Sequence, residues 1–139
     1  MASWADVRRI ALALPETTEG EQQGRARWAV RDKPFAWERP LRPSDLRDLG
    51  ARAPKGEILA LRVEHLLAKE ARLAAQPSVC FTMPHFDGYP AVLVRLGKIG
   101  VADLKELIVE AWLTRAPKTL ATQYQGAVTV PKRKRPSRA

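Results

Sequence analysis

Apolar residues fall into blocks whose spacing changes along the chain, and each spacing predicts an element. Trp4, Val7, Ile10, Ala11 and Leu14 recur at helical intervals, with Ser3 placed to cap the start and Pro15 to force the stop. The polar stretch from Glu16 to Gly24 has no such period and reads as a loop. From Arg25 to Arg31 the period becomes two, putting Ala26, Trp28 and Val30 on one face and Arg25, Arg27, Ala29 and Arg31 on the other. Asp32-Lys33-Pro34 is the expected turn into a returning strand, Phe35-Ala36-Trp37, which completes a β-hairpin.

Beyond Pro40 and Pro43, Ser44 is placed to cap a short helix from Asp45 to Leu49, closed by Gly50. Glu57 to Val63 reads as a strand with Leu59, Leu61 and Val63 inward and Arg62 outward. A helix from about Glu64 to Ala75 follows, with Leu66, Leu67, Ala71 and Ala74 as its apolar set. Ser78 to Met83 is a further strand with Val79 and Phe81 on one face, and His85 to Pro90 has turn chemistry. Ala91 to Leu96 places Val92, Val94 and Leu96 together. Leu104, Leu107, Ile108, Ala111 and Trp112 mark a helix from about Ala102 to Ala116, ended by Pro117. Lys118 to Tyr124 suggests a last short helix. Short turns between strands, with helices at both ends, predict an α+β fold: an antiparallel sheet with helices packed on one face and the other face partly open.

Length and composition narrow the function classes. A chain of 139 residues suits one domain with its own core, read here as 1–124, followed by a disordered basic tail at 125–139. The single cysteine, Cys80, forms no internal disulfide and reads as a small core residue. No secretory leader or membrane-length apolar run is visible, so the expectation is a soluble, cytoplasmic protein without a membrane role, most simply a monomer. The net charge of +9 has two sources. Lys132, Arg133, Lys134, Arg135 and Arg138 account for five of the 24 basic residues, leaving 19 against 15 acids, a mild +4, in the rest. Clustered cations attract polyanions, and they also keep a protein in solution.

Chemistry-bearing residues are few. Arg25, Arg27, Arg31, Arg62 and Arg95 are all expected on the open sheet face, where guanidiniums fork onto phosphate oxygens. The plain alternative is a solvated face, with Glu38 and Glu57 able to neutralise part of it. Lys132 to Arg135 would add tethered charge to the same partner. His85, beside Asp87 and Tyr89 in a turn, lacks any accompanying nucleophile or phosphate loop, so a structural role is expected. His65, at a predicted helix start, has less claim to chemistry still. Trp4, Trp28 and Trp112 lie on apolar faces, leaving Trp37 as the candidate stacking residue. Trp37, His85 and Tyr89 together form an alternative, small-molecule or protein-partner pocket. No cofactor motif occurs, and Cys80 with His85 is too few for zinc, so neither cofactor, metal nor catalytic residue is expected.

Three stretches carry a family resemblance. Ala11 to Glu16, the run from Pro84 to Val94, and the run from Glu110 to Lys118 together resemble the MmcQ/YjbR family, in order and spacing, over roughly residues 4–124. The resemblance implies a CyaY-like (frataxin-like) α+β fold with an antiparallel sheet against helices, and DNA as partner. The tail from Pro131 lies outside it. Frataxin-type iron binding uses an acidic first helix, whereas this one carries Asp6, Arg8 and Arg9 before Glu16, so iron delivery is not implied.

Overall fold

In a computed structural model, which describes residues 2–124, Ser3 caps the first helix, α1 (Trp4–Leu12). Its hydroxyl accepts from the Asp6 amide while the Asp6 carboxylate accepts from the Ser3 amide, a reciprocal capping box. Val7, Ile10 and Ala11 turn inward.

Three strands then form a meander: β1 (Thr17–Gln22), β2 (Arg25–Val30) and β3 (Lys33–Glu38). The polar segment expected to be a loop is thus an edge strand. Its pairing with β2 supplies backbone hydrogen bonds, while all but one of its residues are exposed, so burial leaves no apolar period to read. Both meander turns use two residues with positive φ. Gln23 and Gly24 (54° and 76°) join β1 to β2, and Arg31 and Asp32 (46° and 68°) join β2 to β3. The second turn therefore falls one residue earlier than expected, and Lys33 and Pro34 belong to β3. A bulge at Trp28/Ala29 lies beside Pro34, where the ladder needs no proline N–H.

The remaining elements are α2 (Pro43–Leu49), β4 (Ile58–Arg62), α3 (Leu66–Ala75), β5 (Cys80–Phe81), β6 (Ala91–Arg95) and α4 (Val101–Arg115). Residues 118–124 are also helical. Arg42, not Ser44, occupies the N-cap of α2, and the Asp45 carboxylate accepts from the Arg42 amide at 2.9 Å. The sheet is antiparallel throughout, in the order β1-β2-β3-β4-β6-β5.

One face of this sheet meets α1 and α4. Trp28, Val30, Leu59, Leu61, Val92 and Val94 interdigitate there with Leu104, Leu107, Ile108, Ala111 and Trp112, the set that the spacing of α4 predicts. Cys80 joins this core, and burial pushes its thiol up to about 11. Phe81 points to the opposite face, against Leu93, so Val79 and Phe81 do not share a side as expected. The second face carries a smaller core of Leu49, Ile58, Ala60, Met83, Phe86, Ala91 and Leu93. That core covers only the β4-β6-β5 half. Over β2 and β3 the second face stays open.

The helix α3 departs most from expectation. Leu66 and Leu67 are exposed, Leu67 at 71%, while Lys69 is buried at 6%. His65 is its N-cap, with Nδ1 accepting from the Ala68 amide at 3.0 Å. Arg72 pairs with Glu110 and ties α3 to α4. Among the described residues no helix is long and apolar enough to cross a membrane.

Candidate functional site

Where the second face is open, strand register places Arg27 directly between Gly20 of β1 and Trp37 of β3. The Arg27 stem lies over Gly20, within 3.8 Å of where a Cβ would stand, so its guanidinium reaches over β1. Two segments rise from the sheet to make walls. One is the chain from Arg39 to Pro43, leaving β3 for α2. The other is the turn from His85 to Tyr89. They enclose a concave groove of about 830 Å³, lined by four arginines (Arg25, Arg27, Arg39, Arg42) and two carboxylates (Glu38, Asp87) among other residues.

Buried charges fix both walls. Arg39, 5% exposed, pairs with Asp45, 2% exposed, at 3.0 Å, donates to the Pro40 carbonyl, and lies 5.5 Å over the Phe86 ring. Burial pushes the Asp45 carboxyl up. The Arg42 amide and the Arg39 guanidinium, helped by His85, outweigh that and leave it below the usual carboxylate range. At the other wall the Lys69 ammonium donates to the carbonyls of Phe86 (2.6 Å) and Tyr89 (2.9 Å), which braces the turn from behind. Burial lowers its pKa, and Asp87 partly offsets the shift. From the front, Arg62 donates to the Tyr89 hydroxyl at 3.0 Å and lies 5.2 Å over its ring. The turn is held on three sides, since Phe86 itself sits in the smaller core.

The five predicted sheet arginines therefore separate. Arg25 and Arg27 line the groove, together with all three residues of the alternative pocket, Trp37, His85 and Tyr89. Two of the five arginines thus share one groove with the alternative pocket. Arg31 does not join them: it lies in the left-handed turn after β2 and forks onto Glu16, with its second nitrogen at 2.9 Å. Arg62 has the expected facing, yet it is half-buried, with Nε sealed from solvent and its charge used to hold Tyr89. Arg95 lies opposite Ile58 at the far side of the smaller core, also half-buried, and does not line the groove. Lys132, Arg133, Lys134 and Arg135, with the expected disorder of 125–139, lie outside the described residues.

Sequence reasoning missed Arg39, Asp45 and Lys69, and with them the groove residue Arg42. The first two left one trace, an acid three residues into a helix after Pro43. Lys69 left none, because its neighbours Leu66 and Leu67 look like the buried side. His85 packs edge-on against Phe86, with ring centres 5.4 Å apart, and makes no hydrogen bond to a side chain among the described residues. Among those residues no cluster of three or more His, Cys, Asp or Glu could hold a metal ion.

Comparison with known proteins supplies the lineage. The model of the YjbR family matches residues 12–114, a span that includes every groove-lining residue. The chain belongs to the YjbR family. "Uncharacterized protein Mb2600" of Mycobacterium bovis and "Uncharacterized protein Rv2570" of Mycobacterium tuberculosis are each 52% identical to it over 127 residues, covering 89% of this chain and 96% of theirs. The crystal structure of Deinococcus radiodurans protein DR2400, with the family-model domain DUF419, superposes at a TM-score of 0.57. It is 18% identical and covers 96% of this chain and 87% of that one, a likeness of fold. This YjbR-family chain thus shares its fold with that protein.

Proposed function

We propose that this YjbR-family protein binds DNA in the groove, through phosphate contacts that depend little on sequence and without catalysing a reaction. One observation carries the reading: Arg25, Arg27 and Arg42 line a concave groove and, among the described residues, make no ion pair, unlike Arg31, Arg39 and Arg72. Unpaired guanidiniums beside exposed aromatic side chains suit a phosphate chain that carries rings. The absence of catalysis is supported by His85, to which no nucleophile is hydrogen-bonded among the described residues, and by Cys80, buried against the helices on the other face. The tail adds non-specific charge.

The test is fluorescence anisotropy with labelled DNA across a salt series, using the full chain and a version ending at Val130. Retained binding by the shorter protein, with log affinity falling linearly against log salt, is expected. Arg27→Glu should weaken that binding and Arg31→Glu should not. Binding that disappears with the tail alone would refute the groove as the site.

A second reading, a small-molecule pocket, is favoured by the groove's concavity, since about 830 Å³ lies within the ~300–1,000 Å³ usual for ligand pockets. Under that reading DNA binding would be absent from the shorter protein.

A further inference from the structure

We infer that the groove seats an unpaired nucleobase against Trp37, so that the protein prefers single-stranded DNA to duplex. This rests on the groove being the nucleic-acid site.

The four tryptophans differ in one respect. The indole N–H of Trp4 donates to Glu57 (3.0 Å), that of Trp28 to Glu19 (3.1 Å), and that of Trp112 to the Pro15 carbonyl (3.1 Å). Trp4 also stacks on Trp28, and Trp112 meets the Tyr124 ring. Among the described residues Trp37 has neither an acceptor for its N–H nor a ring partner, although it is only half-buried and lines the groove. Its neighbour Arg27 lies over Gly20. The guanidinium stacks on this face are Arg39 on Phe86 and Arg62 on Tyr89. Trp37 packs in part against the smaller core and otherwise offers the groove an unstacked indole, with a donor to spare.

A base offers a flat ring and edge acceptors, which an indole face and its N–H complement. In a duplex both faces of each base are covered by neighbours, and exposing one costs unstacking and unpairing. A single strand presents its bases at much lower cost, and stacking on an aromatic side chain tolerates any sequence. Arg27, the cross-strand neighbour of Trp37, and Arg25 and Arg42 elsewhere in the groove would take the flanking phosphates. Tyr89 forms the opposite wall, its hydroxyl and one ring face engaged by Arg62. It is a rigid boundary to the seat.

The experiment uses the full chain and three labelled probes: a short oligothymidine, a duplex of the same length, and an oligothymidine with its bases replaced by abasic sites. The expected order is oligothymidine tightest, by roughly tenfold or more over the abasic strand. Trp37→Leu should cut oligothymidine affinity by roughly tenfold, leave the abasic strand unchanged, and erase the difference between them. Trp37→Phe, which keeps a ring, should restore most of the loss and guards against a folding defect in the first variant. Equal binding of oligothymidine and abasic strand by the wild type would overturn the inference, as would a Trp37→Leu protein that keeps the difference. Should Arg27→Glu then still weaken all three probes, the groove remains the DNA site and only the base seat is lost. If neither variant changes any affinity, both readings fall.

Discussion

The two faces of one sheet are put to different uses, and their construction differs accordingly. The face under α1 and α4 is apolar and sealed, with Trp112, Ile108, Leu59 and Val94 at 0% exposure and its tryptophan N–H groups all paired. The opposite face has a small core on one half and a groove on the other. There the walls are set by buried charge, Arg39 with Asp45 and Lys69 on two carbonyls. Apolar packing is non-directional and stabilises whatever fills the space, whereas ion pairs and hydrogen bonds hold chosen atoms at chosen positions. Buried ion pairs contribute little net stability against apolar replacements. The first face stabilises the domain and the second shapes a surface.

Substitutions can sharpen or break that division. The largest effect is expected from Trp112→Ala, which removes a fully buried indole and should cost about 3–5 kcal/mol in denaturant unfolding. A loss under about 1 kcal/mol would mean the sealed face does not dominate stability.

Asp45→Asn comes next, at about 3 kcal/mol, because it strands the buried Arg39 charge. Its pH signature has a definite sign. The folded Asp45 pKa lies below its unfolded value of about 3.9, so its contribution is complete above that pH. The contribution disappears as pH falls through the lower, folded value. Acid titration of wild-type stability should therefore decline below about pH 4, and Asp45→Asn should decline less steeply. Parallel acid curves for the two proteins would remove Asp45 from the ledger of stabilising groups.

Lys69→Met should cost less, about 1–3 kcal/mol, by leaving two carbonyls without their donor. It should nevertheless lower groove affinity, since the His85–Tyr89 wall loses its brace. Affinity unchanged at equal foldedness would show that the wall does not need Lys69. The smallest effect belongs to Arg31→Ser on the exposed pair with Glu16, where neither unfolding midpoint nor DNA affinity should move measurably.

Much of the first face was legible from spacing. The five inward residues of α4 and the alternation in β2 each present one apolar side to one core, and periodicity records that directly, while β4 and β6 are apolar on both sides and feed both cores. The second face was legible only in part. Arg25, Arg27, Trp37, His85 and Tyr89 could be named singly, and their facing could be read for the strands. The β2–β3 hairpin and the grouping of Trp37, His85 and Tyr89 could also be read, but that Arg25 and Arg27 line the same groove could not, because the turn at 85–89 arrives from a distant part of the chain. Arg31 was misplaced by one residue of turn position. That slip is hard to avoid when a non-glycine pair, Arg31-Asp32, takes up positive φ. The edge strand β1 gives no apolar signal, and α3 gives a misleading one.

By itself the sequence determined the fold class, the positions of most helices and strands, the membership of the main core and the family. Local propensity, capping and burial period act over a few residues, so they are written in consecutive letters. Tertiary structure alone decided which charges are spent inside the protein and which face outward. Arg39, Arg62 and Lys69 are indistinguishable in sequence from Arg25, Arg27 and Arg42. What separates them is an acid, a hydroxyl or a carbonyl brought within about 3 Å, by the neighbouring α2 for Arg39 and by distant parts of the fold for Arg62 and Lys69. Charge–charge and hydrogen-bond energies depend on that proximity and on local burial, neither of which any stretch of sequence contains.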